Sequence, residues 1–218
     1  MSCRAHCCAV EDKFTHRTAE ADLRRYRRKG PDDTTARILE MVREQRLQDA
    51  TLLDVGGGIG VLAHEFLDDG VRSAVLVDGS TAYLTVASEE AASRGTNERL
   101  RVLHGDFVEV ARDLDAAAVV TLDRVVCCYP DYRALLAAAA AKSHGLLAIS
   151  YPRDRWFVRL VMGVENLARR LARNAFRTYV HPPQEMDRVL EEAGYRPVRT
   201  HEGFVWRVAL FAWAGESV

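Results

Sequence analysis

The run Leu52 Leu53 Asp54 Val55 Gly56 Gly57 Gly58 Ile59 Gly60, followed by a second apolar run that ends at Asp78, constrains this chain more than any other stretch. It reads as a strand, a glycine turn and the start of a helix, then a second strand tipped with an acid. α/β folds build a nucleoside pocket from this order of elements. Glycines at 56, 58 and 60 let the backbone pass close to a ligand where a Cβ would collide with it. An acid at the tip of the next strand, Asp78 with Gly79 and Ser80 behind it, can accept both ribose hydroxyls.

The rest of the chain continues the alternation. Thr51 to Val55 reads as the first strand, Val61 to Leu67 as the first crossover helix and Ala74 to Val77 as the second strand. A helix from about Ala82 to Arg94 precedes a third strand at Leu100 to Leu103, and the unbroken apolar run Ala117 to Leu122 reads as a buried fourth strand. A helix from Tyr132 to Lys142 then leads to a fifth strand at Leu146 to Ser150. Strands alternating with helices at this spacing imply a parallel sheet wound on both faces. The end departs from it, because Pro197 to Thr200 and Phe204 to Trp213 are joined by Gly203 with no helix between them. The expected fold is therefore α/β: a Rossmann-like, doubly wound, seven-stranded sheet, mostly parallel, with a C-terminal antiparallel hairpin strand. Before it, Gly30 Pro31 breaks a basic helix, and Asp32 or Asp33 can cap the next, which is expected to run to about Gln48. Residues 1–34 form a basic N-terminal segment expected to act as a lid, and 35–218 the main domain, in which 151–181 is a substrate-side insertion.

At 218 residues with 48% hydrophobic content the chain can bury one α/β domain but not a second. No apolar run reaches membrane-spanning length and Met1 to Cys8 lacks the apolar core of a signal peptide, so a cytoplasmic location is expected. The formal net charge of −1 gives no global field for nucleic acid, which is not an expected partner. Charge is uneven locally: Arg17 to Lys29 carries six basic residues against Glu20 and Asp22, and Tyr151 to Val180 carries seven arginines against Asp154 and Glu165. Five cysteines in the pattern Cys3, Cys7, Cys8, Cys127, Cys128 make a poor disulfide framework, and the N-terminal cluster with His6 lacks the second spaced pair of a metal site. No metal is expected.

Asp54-x-Gly56-x-Gly58-x-Gly60, Asp78 after strand two, Gly105 Asp106 Phe107 after strand three and Asp123 after strand four together resemble the motifs of class I S-adenosylmethionine-dependent methyltransferases, over roughly residues 35 to 213. The resemblance implies that Asp54 contacts the methionine end of the cofactor, that Gly56 and Gly58 line its methionine and ribose side, and that Asp78 takes the ribose hydroxyls. Asp106 would accept from the adenine amino group while Phe107 packs on its ring; the alternative is that Asp106 caps a short turn and Phe107 belongs to the core. Asp123, with Arg124 and Val125, would form the floor near the sulfonium. Gly58, Gly60 and Ala63 also satisfy the dinucleotide pattern GxGxxA, so an NAD(P)-dependent oxidoreductase is the alternative. Against it stand the acid at Asp54, where dinucleotide folds normally carry an apolar residue, and the shortness of the chain beyond this module. A non-catalytic partner subunit that keeps the cofactor fold is a third reading.

The acceptor side is less defined. Leu122 to Pro130 lacks the Asn/Asp-Pro-Pro-aromatic signature of methyltransferases that modify exocyclic amino groups of bases or glutamine, which makes nucleic acid a weak candidate substrate; the expected reaction is O-methylation of a small, acidic, partly hydrophobic molecule. Trp156, Phe157, Leu160, Val161, Val164, Leu167, Ala168 and Leu171 follow helical spacing and define one face flanked by arginines. Such a helix suits the roof of a hydrophobic pocket, a peripheral membrane contact or simple packing on the sheet. Tyr129, Arg153 and His181 are the candidate catalytic residues, His181 reading either as a base pointing into the cleft or as a residue that only enters the final helix before Pro182 Pro183. Cys127 and Cys128, just past the fourth strand, read either as lining that cleft or as small buried residues. Within the superfamily the basic N-terminal helix, the Tyr129 Pro130 turn, the amphipathic insertion and Gly194 to Thr200 are similar to magnesium protoporphyrin O-methyltransferases, from which the cysteine pair departs. The oligomeric state is left open.

Overall fold

The computed structural model describes residues 5–45 and 47–215, with side chains from residue 9 onward. Three helices open the chain: α1 (Ala5–Lys13), α2 (His16–Lys29) and α3 (Asp33–Arg43). Gly30 ends α2 at φ 78°, and the Asp32 carboxylate begins α3 by accepting the Thr35 amide and hydroxyl. Helix α3 stops at Arg43, short of the expected Gln48, in a turn that leads to the first strand.

There follow β1 (Thr51–Val55), α4 (Val61–Asp68), β2 (Ser73–Asp78), α5 (Thr81–Arg94), β3 (Leu100–His104), a one-turn α6 (Phe107–Val110), β4 (Ala117–Asp123), α7 (Tyr132–Ala141), β5 (Ser143–Pro152), α8 (Trp156–Leu171), α9 (Pro183–Glu192), β6 (Tyr195–Glu202) and β7 (Trp206–Trp213). The seven strands lie in the order β3-β2-β1-β4-β5-β7-β6, with β7 antiparallel to both neighbours, as expected from the hairpin. Strands β5 and β6 are longer than their apolar cores suggested, because ladder pairing with β7 carries them outward, from Leu146 to Pro152 on one side and from Tyr195 to Glu202 on the other.

Alternation along each strand feeds two cores. Leu52 points to one face, where it joins Ile38, Leu39, Phe66, Leu76 and Leu210; Leu53 and Val55 point to the other, with Val120, Leu122, Leu136, Ile149 and Phe211. Chain order runs outward from β1 to β3, then jumps back across β1 to β4. The C-terminal ends of β1 and β4 therefore splay at a topological switch point, the position where such sheets bind ligands.

Helix α8 breaks the pattern. Only Val158 is buried, while Trp156, Leu160, Val161, Val164, Leu167 and Leu171 all lie open to solvent. The expectation that this apolar face roofs the pocket or packs on the sheet is corrected. The cause is a clamp on the opposite side of the helix: Asn166 donates Nδ2–H to the Thr178 carbonyl at 2.7 Å and accepts the Thr178 amide at 3.0 Å. That clamp turns the Asn166 and Arg169 side inward, and the apolar side outward. No described helix is long and apolar enough to cross a membrane.

Candidate active site

A cavity of about 510 Å³ opens at the switch point. Its floor is the turn after β1. The Gly56 amide donates to the Val77 carbonyl at 2.6 Å with φ at +61°, and a Cβ there would stand 2.5 Å from Val125 Cγ2. Glycine alone fits both demands. At Gly57 a Cβ would meet Asp54 Oδ2 at 2.2 Å, so the missing side chain leaves room for the carboxylate beneath.

Asp54 is fully buried. Its Oδ1 accepts the Thr121 hydroxyl at 2.7 Å, while Oδ2 has no hydrogen-bond partner. Burial pushes its pKa from 3.8 up to about 7; the Thr121 hydroxyl and the nearby Ala63 amide pull down, and the charges of Asp123 and Asp78 push up. A buried carboxylate oxygen without a donor asks for one from a ligand. Asp78, also raised by burial, spends one oxygen on the Gly58 amide at 2.9 Å and the other on the Ser80 amide at 2.8 Å. Each oxygen keeps a second acceptor site, enough for a vicinal diol.

Asp106 and Phe107 also line the cavity, on the β3 side. The Asp106 carboxylate caps α6 through the Val108 amide at 3.0 Å and accepts the Tyr129 hydroxyl at 2.9 and 3.1 Å, so Tyr129 orients this carboxylate. Phe107 is buried against the core as well as the cavity. Asp123 accepts the hydroxyls of Thr35, at 2.6 Å, and Ser150. Arg124, at φ +58°, pairs with Asp32 at 2.6 Å. Burial would raise the Asp32 pKa, but the Arg124 guanidinium and the Thr35 hydroxyl and amide hold it below the ordinary value.

Four expected site residues lie elsewhere. Gly60 caps α4 in the left-handed region, against Leu76 and His64, and does not line the cavity. Ser80 is buried as the cap of α5 and donates its hydroxyl to the Phe14 carbonyl at 2.7 Å. His181, read as a base in the cleft or as a helix-entry residue, takes the second place: it is buried with Nε2 3.1 Å from the Val126 carbonyl and 3.0 Å from that of Tyr129. It ties the start of α9 to the loop after β4, and burial lowers its pKa. Arg153 is spent on the hairpin, donating to the Gly203 carbonyl at 2.8 Å and pairing with Glu202.

Other residues come to the cavity unannounced. Phe14 approaches from the turn between α1 and α2, and Asp22, Arg25 and Tyr26 from α2; the Tyr83 hydroxyl donates to Asp22 at 2.6 Å. Arg169 arrives from α8, braced by Asn166, Thr178 and Glu165 and lying over the Phe176 ring at 5.4 Å. The sequence signals for them were the expected lid at 1–34 and the expected substrate-side insertion at 151–181, neither of which singled out these side chains. Cys127 and Cys128 do line the cavity, with sulfurs 3.6 Å apart. The bond between them pushes Cys127 up and Cys128 down in pKa. No group of three metal-ligating side chains occurs among the described residues, and Cys3, His6, Cys7 and Cys8 lie outside the described side chains.

The orphan Asp54 oxygen, the diol-ready Asp78 and the Cβ-free floor fit S-adenosylmethionine, whose ammonium, ribose and chain they would take. Comparison with known proteins agrees. A family described as a methyltransferase domain matches residues 23–200. Ribosomal protein L11 methyltransferase of Pasteurella multocida is 30% identical over 126 residues, covering 56% of this chain and 40% of that protein. The same enzyme of Haemophilus influenzae is 34% identical over 91 residues, covering 42% and 30%. The chain spans less than half the length of these curated relatives. Among solved structures, magnesium protoporphyrin IX methyltransferase from Synechocystis, with S-adenosylhomocysteine bound, has a TM-score of 0.71 at 16% identity, covering 93% of this chain and 97% of that one. An O-methyltransferase family 2 protein of Planctomyces limnophilus, in complex with apigenin, has a TM-score of 0.64 at 18% identity, covering 91% and 61%. These structures share the fold, and the family match removes the dinucleotide reading. The chain belongs to the methyltransferase-domain family, with the class I fold and a nucleoside cleft suited to S-adenosylmethionine.

Proposed function

We propose that this chain transfers a methyl group from S-adenosylmethionine to an oxygen, most simply a carboxylate, of a small, acidic, partly hydrophobic molecule. The observation that carries the acceptor class is that Arg124, paired with Asp32, and Arg169, paired with Glu165, stand with Phe176, Tyr129 and Trp206 in the cavity that also holds Asp54 and Asp78. Cations with aromatic walls suit an amphiphilic anion.

The cofactor supplies an activated methyl on a sulfonium, whose departure needs no acid. The chain's task is then to hold both reactants in line and exclude water. Asp54 and Asp78 anchor the donor, while Arg124 and Arg169 orient the acceptor. Helix α2 and the turn before it cover the cavity with Tyr26 and Phe14. Among the described residues that line it there is no histidine, and Asp32, Asp106 and Asp123 are engaged by hydroxyl or amide donors. A nucleophile already ionised at neutral pH needs no base, and a carboxylate meets that condition. A protein acceptor is the second reading, favoured by the 30% identity to ribosomal protein L11 methyltransferase.

The test is transfer of radiolabelled methyl from S-adenosylmethionine to panels of amphiphilic carboxylates, phenols and ribosomal protein. Label released by mild alkali from a small carboxylate is the expected result, with Arg169→Ala raising KM about tenfold more than it lowers kcat. Alkali-stable label in protein would replace this reading with the second. No transfer at all would favour a non-catalytic subunit.

A further inference from the structure

We propose that the outward face of α8 docks this protein on the surface of an anionic lipid bilayer. Trp156, Leu160, Val164, Leu167 and Leu171 stand at i, i+4, i+8, i+11 and i+15, which lines them up on one side of the helix. They are 57–78% exposed, and Val161 beside them is 55% exposed. The patch continues past the helix. Phe157 stacks at 4.9 Å on Phe204, itself 79% exposed in the turn between β6 and β7. A contiguous apolar surface of this kind marks a contact site.

Charge identifies what covers it. The stretch 151–180 carries seven arginines and two acids. Both acids are already bridged, Asp154 to Arg159 and Glu165 to Arg169. Arg155, Arg170 and Arg173 are exposed and make no ion pair among the described residues. An apolar stripe rimmed with unpaired arginines and carrying tryptophan at one end matches the headgroup and acyl layers of an anionic bilayer. A second copy of this chain fits poorly, because an isologous contact would bring the same unpaired cations against each other.

The inner side of the same helix holds Arg169, which lines the cavity. Docking therefore sets the arginine side of the cavity about one helix diameter, roughly 10 Å, from the headgroups. Resting on the proposed methyl transfer, this gives the acceptor a source: an amphiphilic anion drawn from the membrane interface.

Flotation of the full chain with phosphatidylcholine vesicles, with and without phosphatidylglycerol, tests the docking. Binding to the phosphatidylglycerol vesicles is expected, weakened by salt. Arg170→Glu with Arg173→Glu should lower vesicle partition at least about thirtyfold, and Leu160→Asp with Leu167→Asp should abolish it. All variants should bind S-adenosylhomocysteine like the parent in calorimetry, which shows that they are folded. The proposal is overturned if the parent ignores anionic vesicles, or if the aspartate variant floats as the parent does. It is equally overturned if light scattering finds a dimer that Leu167→Asp converts to monomer. Failure to bind S-adenosylhomocysteine with flotation intact would remove the methyl-transfer reading and the acceptor route, leaving the docking face standing.

Discussion

At the scale of single residues the site turns on Asp54, whose ionisation is opposed by burial and favoured by a cationic ligand group. Its pKa of about 7 lies above the ordinary 3.8, so the folded chain keeps a proton that the unfolded chain releases. The Asp54 contribution to ligand-free stability therefore falls as pH rises between those values and is constant above them. Asp54→Asn removes this slope. Thermal unfolding without ligand should find the variant more stable than the parent near about pH 8, by on the order of 2–4 kcal/mol at most, with the two converging near about pH 4. Affinity for S-adenosylhomocysteine should behave oppositely, tightening as the carboxylate ionises and dropping at least about tenfold in the variant. Gly56→Ala should cost roughly 1–3 kcal/mol, since it adds a Cβ at positive φ and 2.5 Å from Val125. Pairing it with Val125→Ala relieves the collision but not the backbone strain, so denaturant titration should recover only part of the loss. Both residues were legible in the sequence because an acid and a glycine inside one short turn have few other uses. His181 and Arg153 were not, because a lone polar side chain does not reveal which way it points. His181 turned to two carbonyls, which makes it a structural tie. His181→Ala should lower the melting temperature and leave cofactor binding intact.

At the scale of elements, strands and crossover helices were legible because continuous apolar runs and their glycine and proline boundaries are local. Relations between elements were not. The periodicity of α8 announced an apolar face but could not say whether the core or solvent would receive it; the Asn166 clamp to Thr178 decided that. The packing of α2 on α5 was equally hidden. Glu90 is nearly buried between them, accepting from Arg27 Nε at 3.0 Å and from Arg94 Nε at 2.8 Å, while the Arg94 guanidinium also donates to the Tyr26 hydroxyl at 2.9 Å. Charges in that run show no partner in the sequence, because Glu90 lies more than sixty positions from Arg27. Glu90→Gln leaves these cations short of an anion in a half-buried joint and should cost roughly 2–3 kcal/mol. Hydrogen exchange should then rise over residues 16–29 more than over the sheet. Since Tyr26 lines the cavity, affinity for S-adenosylhomocysteine should weaken as well.

At the scale of the whole molecule the sheet order follows from connection rules, and the position of the cleft follows from the sheet order. The segment expected to act as a basic lid brings Phe14, Asp22, Arg25 and Tyr26 to the cavity, and the sequence did not show which of its side chains would reach there. Phe14 meets Tyr83 edge-on at 5.4 Å and Phe176 at 5.5 Å, so one side chain from the turn before α2 bridges the nucleotide side of the cavity to the segment after α8. Ligand in such a cavity contacts the ends of β1, β2 and β4 together with α1 and α2, and unfolding any of these parts releases it. Binding should therefore appear in global unfolding. At a hundredfold excess over its dissociation constant, S-adenosylhomocysteine should add about 2.7 kcal/mol, which for a chain of 218 residues raises the melting temperature by about 5–10 °C. Asp78→Ala, which frees the Gly58 and Ser80 amides and removes the diol acceptor, should lose most of that rise. NAD and NADP should leave the melting temperature unchanged, and a rise with either of them in place of S-adenosylhomocysteine would return the glycine turn to dinucleotide binding.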